Sequence, residues 1–272
     1  AGKEPVGLPP DLVINRVEDG FLRSRGLGAE LVPPLSLVTD DCGIYYDPTR
    51  ASQLESLIRQ PLPDAARLRA ERLQAKVIAA RISKYNLSAM PSPDLPQGLR
   101  LLIPGQVEDD ASIRLGAGTV NTNLGLLQAA RAAHPDAILI YKPHPDVEAG
   151  LRPGAVADDD LRRLADVVAR HADPLHLIEH CDQVFTMTSL LGFEALLRHK
   201  PVTCLGAPFY AGWGLTTDLG PIPLRRSRAP DGHPLPRPDL AGLIHACLIA
   251  YPRYYDPVSR RPCPPEVAVE RL

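Results

Sequence analysis

The chain has 272 residues, a hydrophobic share of 44% and a formal net charge of −2, which suits one large domain or two small ones around a real core. That balance argues against a concentrated basic surface, and no nucleic-acid partner is expected. Five cysteines without a C-x-x-C pair argue against a disulfide framework or a zinc site, and no apolar run reaches the roughly eighteen residues of a membrane span.

Residues 1–5 open directly into loop-like sequence with no leading strand, so the first elements of an α/β domain are expected to be missing. Leu12-Val13-Ile14 predicts a short strand running into a loop at Gly20. Residues 35–39 predict another, turned at Asp40-Asp41-Cys42-Gly43. Leu68, Leu73, Val77, Ile78 and Ile82 recur at helical spacing and predict a helix over 64–83, with Asp64 near its N-terminus. The proline-rich stretch 90–96 reads as an interdomain linker. Beyond it the pattern alternates. Strands are predicted at 99–103, 137–141, 175–178, 183–186 and 202–205, and helices at 122–133, 158–170 and 189–198. Such alternation implies a parallel sheet with right-handed crossovers, whose ligands sit beyond the carboxyl ends of the strands. That rule selects residues 106–112, 142–146 and 186–189 as one ligand rim. Residues 240–249 and 266–272 read as helical.

Four groups on this chain can do chemistry. Glu108-Asp109-Asp110 is either a solvated acidic loop or the source of a nucleophile or general base. Lys142-Pro143-His144-Pro145 sets a cation and an imidazole at a strand end, suited to a phosphate, unless His144 caps the next loop. Thr188-Ser189 stands at a strand-to-helix junction, where free N–H groups make an anion site and where a lone Ser or Thr is also an ordinary N-cap. Glu194 either accepts from sugar hydroxyls or lies on a solvated helix face. Glu18-Asp19-Gly20-Phe21-Leu22-Arg23-Ser24-Arg25 is a salt-bridged loop or one half of a carboxylate pair, with Glu18 facing Asp110 across an interdomain cleft. The loop at 208–214, PFYAGWG, is a ligand wall or a packed turn. No metal-ligand spacing is present among the histidines, and no metal is expected.

These stretches resemble the bacterial capsule-polysaccharide β-Kdo transferases of the KpsC type. The likeness runs through VEDGFLRSRGLG (17–28), GIYYDP (43–48), KYNL (84–87), GQVEDDASI (105–113), YKPHPDV (141–147), TSLLGFEAL (188–196) and PFYAGWGLTTD (208–218). It implies an α/β fold of the GT-B type: two Rossmann-like domains facing a cleft, the N-terminal one truncated. The expected domains are residues 1–90 on the acceptor side, residues 97–235 binding the nucleotide sugar, and a helical segment at 236–272 packing back on the first. The implied reaction is retaining transfer of β-Kdo from CMP-Kdo to the oligo-Kdo linker of a capsular glycolipid. CMP-Kdo is then a substrate, and no cofactor is needed. The family's Gln-x-x-x-Asp pattern falls on Gln106 and Asp110, making Asp110 the nucleophile, and its Glu-Asp-Gly-Phe motif makes Glu18 the acid/base. Its His-Pro motif falls on His144 and Pro145, and its phosphate motif on Thr188 and Ser189, with Lys142 and Glu194 on the donor side. Arg23 and Arg25 are expected to meet Kdo carboxylates. Full-length members usually carry two modules, of which this one is more like the second, so a second transferase module or capsule-assembly proteins are expected partners. A cytoplasmic place, peripheral at the inner membrane, is implied. The rival readings are another CMP-sugar transferase of the sialyltransferase kind, a CDP-linked polyol-phosphate transferase, and a non-catalytic glycan-binding module.

Overall fold

The computed structural model describes residues 7, 9, 12–26, 32–84, 86 and 93–272. The opening 1–5, the first part of the proline-rich linker, and Leu27, Gly28, Tyr85 and Leu87 of the quoted motifs lie outside the described residues. The chain divides into two compact units, Ala1–Asn86 with Pro236–Leu272, and Leu87–Leu235.

The first unit begins with strands β1 (Arg16–Asp19) and β2 (Ser36–Asp40) and helices α1 (Gln53–Ile58) and α2 (Asp64–Ala79). Leu12-Val13-Ile14 is not the strand; β1 starts at Arg16. β2 alternates as a half-buried strand should, with Ser36, Val38 and Asp40 inward and Leu37 and Thr39 outward. Asp40 is fully buried, and its carboxylate accepts from the backbone N–H of Cys42, Gly43 and Gln53 and from the Tyr251 hydroxyl, at 2.8–2.9 Å. Those four donors explain how a charge sits there. α2 stops short of the predicted residue 83. Arg81 takes a left-handed φ of 51°, its N–H meets Ile78 O, and Ile82 N–H closes onto Val77 O at 3.1 Å. That closing motif satisfies the last carbonyls while keeping Ile82 buried, so the apolar periodicity outlasts the helix.

The second unit runs β3 (Arg100–Pro104), α3 (Ala111–Gly116), α4 (Asn123–Ala133), β4 (Ile138–Lys142), α5 (Pro145–Glu148), α6 (Asp158–Leu164), β5 (Val167–Val168), α7 (Pro174–His180), β6 (Gln183–Thr186), α8 (Leu190–Leu197), β7 (Val202–Cys204) and β8 (Thr217–Asp218). All pairings are parallel, in the order β5-β4-β3-β6-β7-β8. Counted within the unit, that is 3-2-1-4-5-6, the Rossmann order. Leu101, Ile103, Leu139, Tyr141 and Phe185 of the sheet pack against Leu126, Leu127 and Ala130 of α4 and Leu161 and Leu164 of α6. Two expectations fail here. Residues 175–178 are helix, started by Pro174 at its first position with Asp173 accepting from Leu175 N–H at 2.9 Å; a short apolar run does not by itself distinguish strand from helix, and the Asp-Pro start decides. The helix predicted over 158–170 ends at Leu164, because Asp166 accepts from Leu139 N–H at 2.8 Å and delivers Val167-Val168 to the sheet edge.

The chain then returns to the first unit with α9 (Leu240–Ile244), a π-helical stretch at His245–Ala250, strands β9 (Arg253–Asp256) and β10 (Arg261–Cys263), and α10 (Pro265–Arg271). The segment expected to be helical thus also carries a hairpin. β9 pairs with β2, completing an antiparallel sheet in the order β1-β2-β9-β10. The expected Rossmann-like N-terminal domain is corrected on this point. Parallel pairing needs a long crossover, usually a helix, between strands, and β9-β10 is a hairpin joined by a short turn.

Candidate active site

In a Rossmann sheet the order reverses between the first and fourth strands, and ligands bind beyond that gap. Here the gap lies between β3 and β6, and Gln106 and Thr188 meet just past their ends. The Thr188 backbone N–H can only donate, so the atom it meets at 3.0 Å is Gln106 Oε1. The other carboxamide atom is then Nε2, which can only donate, and it reaches Thr188 Oγ1 at 2.9 Å. The Thr188 hydroxyl passes its own proton toward Ser112 Oγ at a longer 3.3 Å, and Ser112 Oγ donates to Asp110 Oδ1 at 2.7 Å. Ser112 N–H donates to the same oxygen at 2.9 Å, so Asp110 is the N-cap of α3. Asp110 Oδ2 carries no hydrogen bond among the described residues.

The neighbouring carboxylates are engaged elsewhere. Glu108 Oε1 accepts from Asn123 N–H at 2.7 Å at the start of α4, and Asp109 pairs with Arg152 at 2.6 Å on the surface. Asn123 was not singled out from sequence, yet it holds the loop. Fully buried, it donates from Nδ2 to Gln106 O at 2.7 Å and Gly154 O at 2.8 Å, and accepts from Gln106 N–H at 2.8 Å. The only local hint was a second polar residue directly after the Thr122 cap. Gly154 must be glycine: its φ is +132°, and a Cβ would lie 2.7 Å from Gln106 O.

Lys142, expected on the donor side, meets two groups of its own chain. It is buried, with Nζ donating to Pro143 O at 3.1 Å and to Glu148 Oε2 at 3.3 Å, both side chains being about one-twentieth exposed. Burial pushes its ammonium below the ordinary lysine range, and Glu148 opposes that shift. Glu148 also accepts from His171 N–H at 3.0 Å, so the pair staples the end of β4 to α5. His144 caps α5: Nδ1 accepts from Asp146 N–H at 3.1 Å. Pro145 sits at the first helical position, where a missing N–H costs nothing. With Nδ1 accepting, the proton of the neutral ring is on Nε2, the polarity a phosphate oxygen requires.

Ser189 is the N-cap of α8, its Oγ accepting from Leu191 N–H at 3.2 Å. Its carbonyl accepts from the Tyr210 hydroxyl at 2.5 Å. Glu194 is buried at 7% exposure, so the solvated-face reading fails. The 208–214 loop is a packed turn: Phe209, Tyr210 and Trp213 are buried, Trp213 Nε1 donates to Phe209 O, and Arg226 ties Pro208 O and Ala211 O. A Cβ on Gly192 would lie 2.2 Å from Tyr210 Oη, and Tyr210 has no room to retreat. Gly192→Ala is expected to lower stability by about 1–3 kcal/mol, read as an earlier denaturant midpoint, with Tyr210→Phe in the same chain recovering part of it.

Glu18, Arg23 and Arg25 belong to the first unit. Glu18 lies on β1, half-buried, with Oε1 accepting from Asp19 N–H at 3.2 Å. Arg23 is buried, paired with Asp19 and donating to Ser24 Oγ at 2.6 Å. Arg25 is exposed and donates to Leu272 O. Both arginines, expected to meet Kdo carboxylates, have protein partners here. Among the described residues no helix is long and apolar enough to cross a membrane.

A parallel sheet in this order, with a polar cluster at the switch point where such sheets bind ligands, makes the second unit Rossmann-type. The chain belongs to the capsule polysaccharide biosynthesis protein family, whose model matches residues 10–90 and 74–254. It is 48% identical over 260 residues to the capsule polysaccharide modification protein LipA of Neisseria meningitidis, covering 94% of this chain and 36% of that protein. It is 46% identical to the lipopolysaccharide-processing protein LpsZ of Rhizobium meliloti, over 88% of this chain and 54% of LpsZ. The chain thus spans about a third to a half of the relatives' length. Among solved structures it is similar to the Thermosulfurimonas dismutans KpsC β-Kdo 2,4 transferase, with a TM-score of 0.83 at 39% identity, covering 94% of this chain and 78% of that one. The β-Kdo 2,7 transferase of the same KpsC gives 0.76 at 34% identity, covering 98% and 79%. The resemblance read from the motifs to a KpsC-type module holds.

Proposed function

We propose that this chain is a glycosyltransferase module that moves Kdo from CMP-Kdo to the oligo-Kdo linker of a capsular glycolipid, with retention at the anomeric carbon. The observation that carries the reading is Asp110. One of its oxygens is held by two donors and the other bears no hydrogen bond among the described residues, at the switch point of a sheet similar to those of two β-Kdo transferases. In the first step Asp110 Oδ2 forms a bond to the anomeric carbon while the bond to the CMP phosphate oxygen breaks, its electron pair leaving with CMP. His144 Nε2–H and the N-terminal end of α8 favour the charge on the departing phosphate. In the second step the acceptor oxygen bonds to the same carbon, its proton passes to Glu18, and the Asp110 carboxylate leaves. Lys142 is a positioning residue for the His144 loop in this scheme.

Incubation with CMP-Kdo and a synthetic β-Kdo acceptor, with NMR of the product, tests it. The expected product carries Kdo in the donor's anomeric configuration. An inverted product would make Asp110 a general base in a single displacement. Saturable acceptor binding without CMP release would make the chain a glycan-binding module.

A further inference from the structure

The hydrogen bonds around Asp110 have a fixed direction. At one end the Thr188 backbone N–H forces Gln106 to present Oε1 there and Nε2–H to Thr188 Oγ1. At the other end an ionised Asp110 can only accept. Every proton between them must therefore point toward Asp110: Gln106 Nε2–H to Thr188, Thr188 Oγ1–H to Ser112, Ser112 Oγ–H to Asp110 Oδ1. Asn123 holds Gln106 by both its backbone N–H and its carbonyl. This series of hydrogen bonds begins just past the end of β3 and finishes on one oxygen of one carboxylate.

We propose that Ser112 is a positioning residue for Asp110: its hydroxyl, oriented by Thr188 and Gln106, holds Oδ1 so that Oδ2 is the oxygen presented to the reacting carbon. The helix cap alone is one bond, from Ser112 N–H, and leaves the carboxylate plane free to swing about it. The second donor, 2.7 Å away on the same residue, fixes that plane. Ser112 then has a function that a generic helix position lacks, and Gln106 and Thr188 act on the nucleophile through it rather than by touching the nucleotide. This rests on Asp110 being the nucleophile.

The test compares Ser112→Ala, Ser112→Thr and Asp110→Asn in the full chain with CMP-Kdo and a β-Kdo acceptor. Ser112→Ala is expected to lower kcat by about 10- to 100-fold with KM for CMP-Kdo within about twofold and an unchanged melting temperature. Ser112→Thr, which keeps the hydroxyl, is expected to recover kcat to within about threefold of wild type. A wild-type kcat in Ser112→Ala, a defect in KM alone, or a threonine variant as impaired as the alanine one would overturn the proposal. If Asp110→Asn itself turns over normally, the nucleophile assignment has failed, and the positioning role falls with it; that result is distinct from an inert Ser112 beside an essential Asp110. A crystal structure of Ser112→Ala gives a readout independent of turnover. Asp110 is expected in more than one rotamer, and a single unchanged rotamer counts against the role.

Discussion

Asp110→Asn is expected to lower Kdo transfer by at least roughly 10³-fold, with CMP affinity and thermal stability close to wild type. Asparagine caps a helix about as well as aspartate, so Oδ1 can still accept from Ser112 N–H at the start of α3. The charge and the nucleophilic oxygen are what disappear. Asp110→Ala removes the cap as well. It is expected to lose transfer equally and to lose about 1 kcal/mol of stability besides. The pair of variants therefore separates a cap from a nucleophile, which alanine alone cannot do. Transfer is read by CMP release and product mass, and CMP affinity by calorimetry. Near-normal turnover in Asp110→Asn would leave the residue as a helix cap and remove the mechanism. A Kdo adduct on the peptide bearing Asp110, trapped with a slow acceptor, is the positive result.

The second large effect is on stability. Lys142→Met removes the ammonium from buried Glu148, which among the described residues keeps only the His171 N–H at 3.0 Å and the His171 imidazole at 3.8 Å, and is expected to cost about 3 kcal/mol. For a chain of this size that lowers the melting temperature by roughly 10 °C. Adding Glu148→Leu is expected to return much of the loss, because an apolar pair of similar volume often replaces a buried ion pair without penalty. CMP affinity, measured well below the melting temperature, is expected to change little in the double variant, since Nζ is already committed to Glu148 and Pro143 O. A single variant as stable as wild type but unable to bind CMP would return the ammonium to the phosphate.

The second unit was largely legible in advance. Strands β3, β4, β6 and β7 are covered on both faces, so they read as near-continuous apolar runs between turn residues. The first unit was not. Its sheet depends on β2 meeting β9, from opposite ends of the chain, and no local pattern in Arg253–Asp256 announces that partner. Residues 175–178 were misread for a different reason: a short apolar run fits either period until the Asp173-Pro174 start is weighed.

The sequence by itself determined the family, the alternating α/β order of the second unit and the positions of the rim, because apolar periodicity and helix starts are short-range and each is encoded within a few residues. Tertiary structure decided what each polar atom does. Three adjacent carboxylates are chemically alike in sequence; Asn123 takes Glu108, Arg152 takes Asp109, and Asp110 is the one tied through Ser112 and Thr188 to Gln106 at the switch point. Lys142 beside His144 reads as a phosphate contact from sequence; that its buried ammonium also meets the Glu148 carboxylate follows only once α5 folds back on β4. Hydrogen-bond partners are settled by which groups are removed from water together, and that is a property of the packed chain.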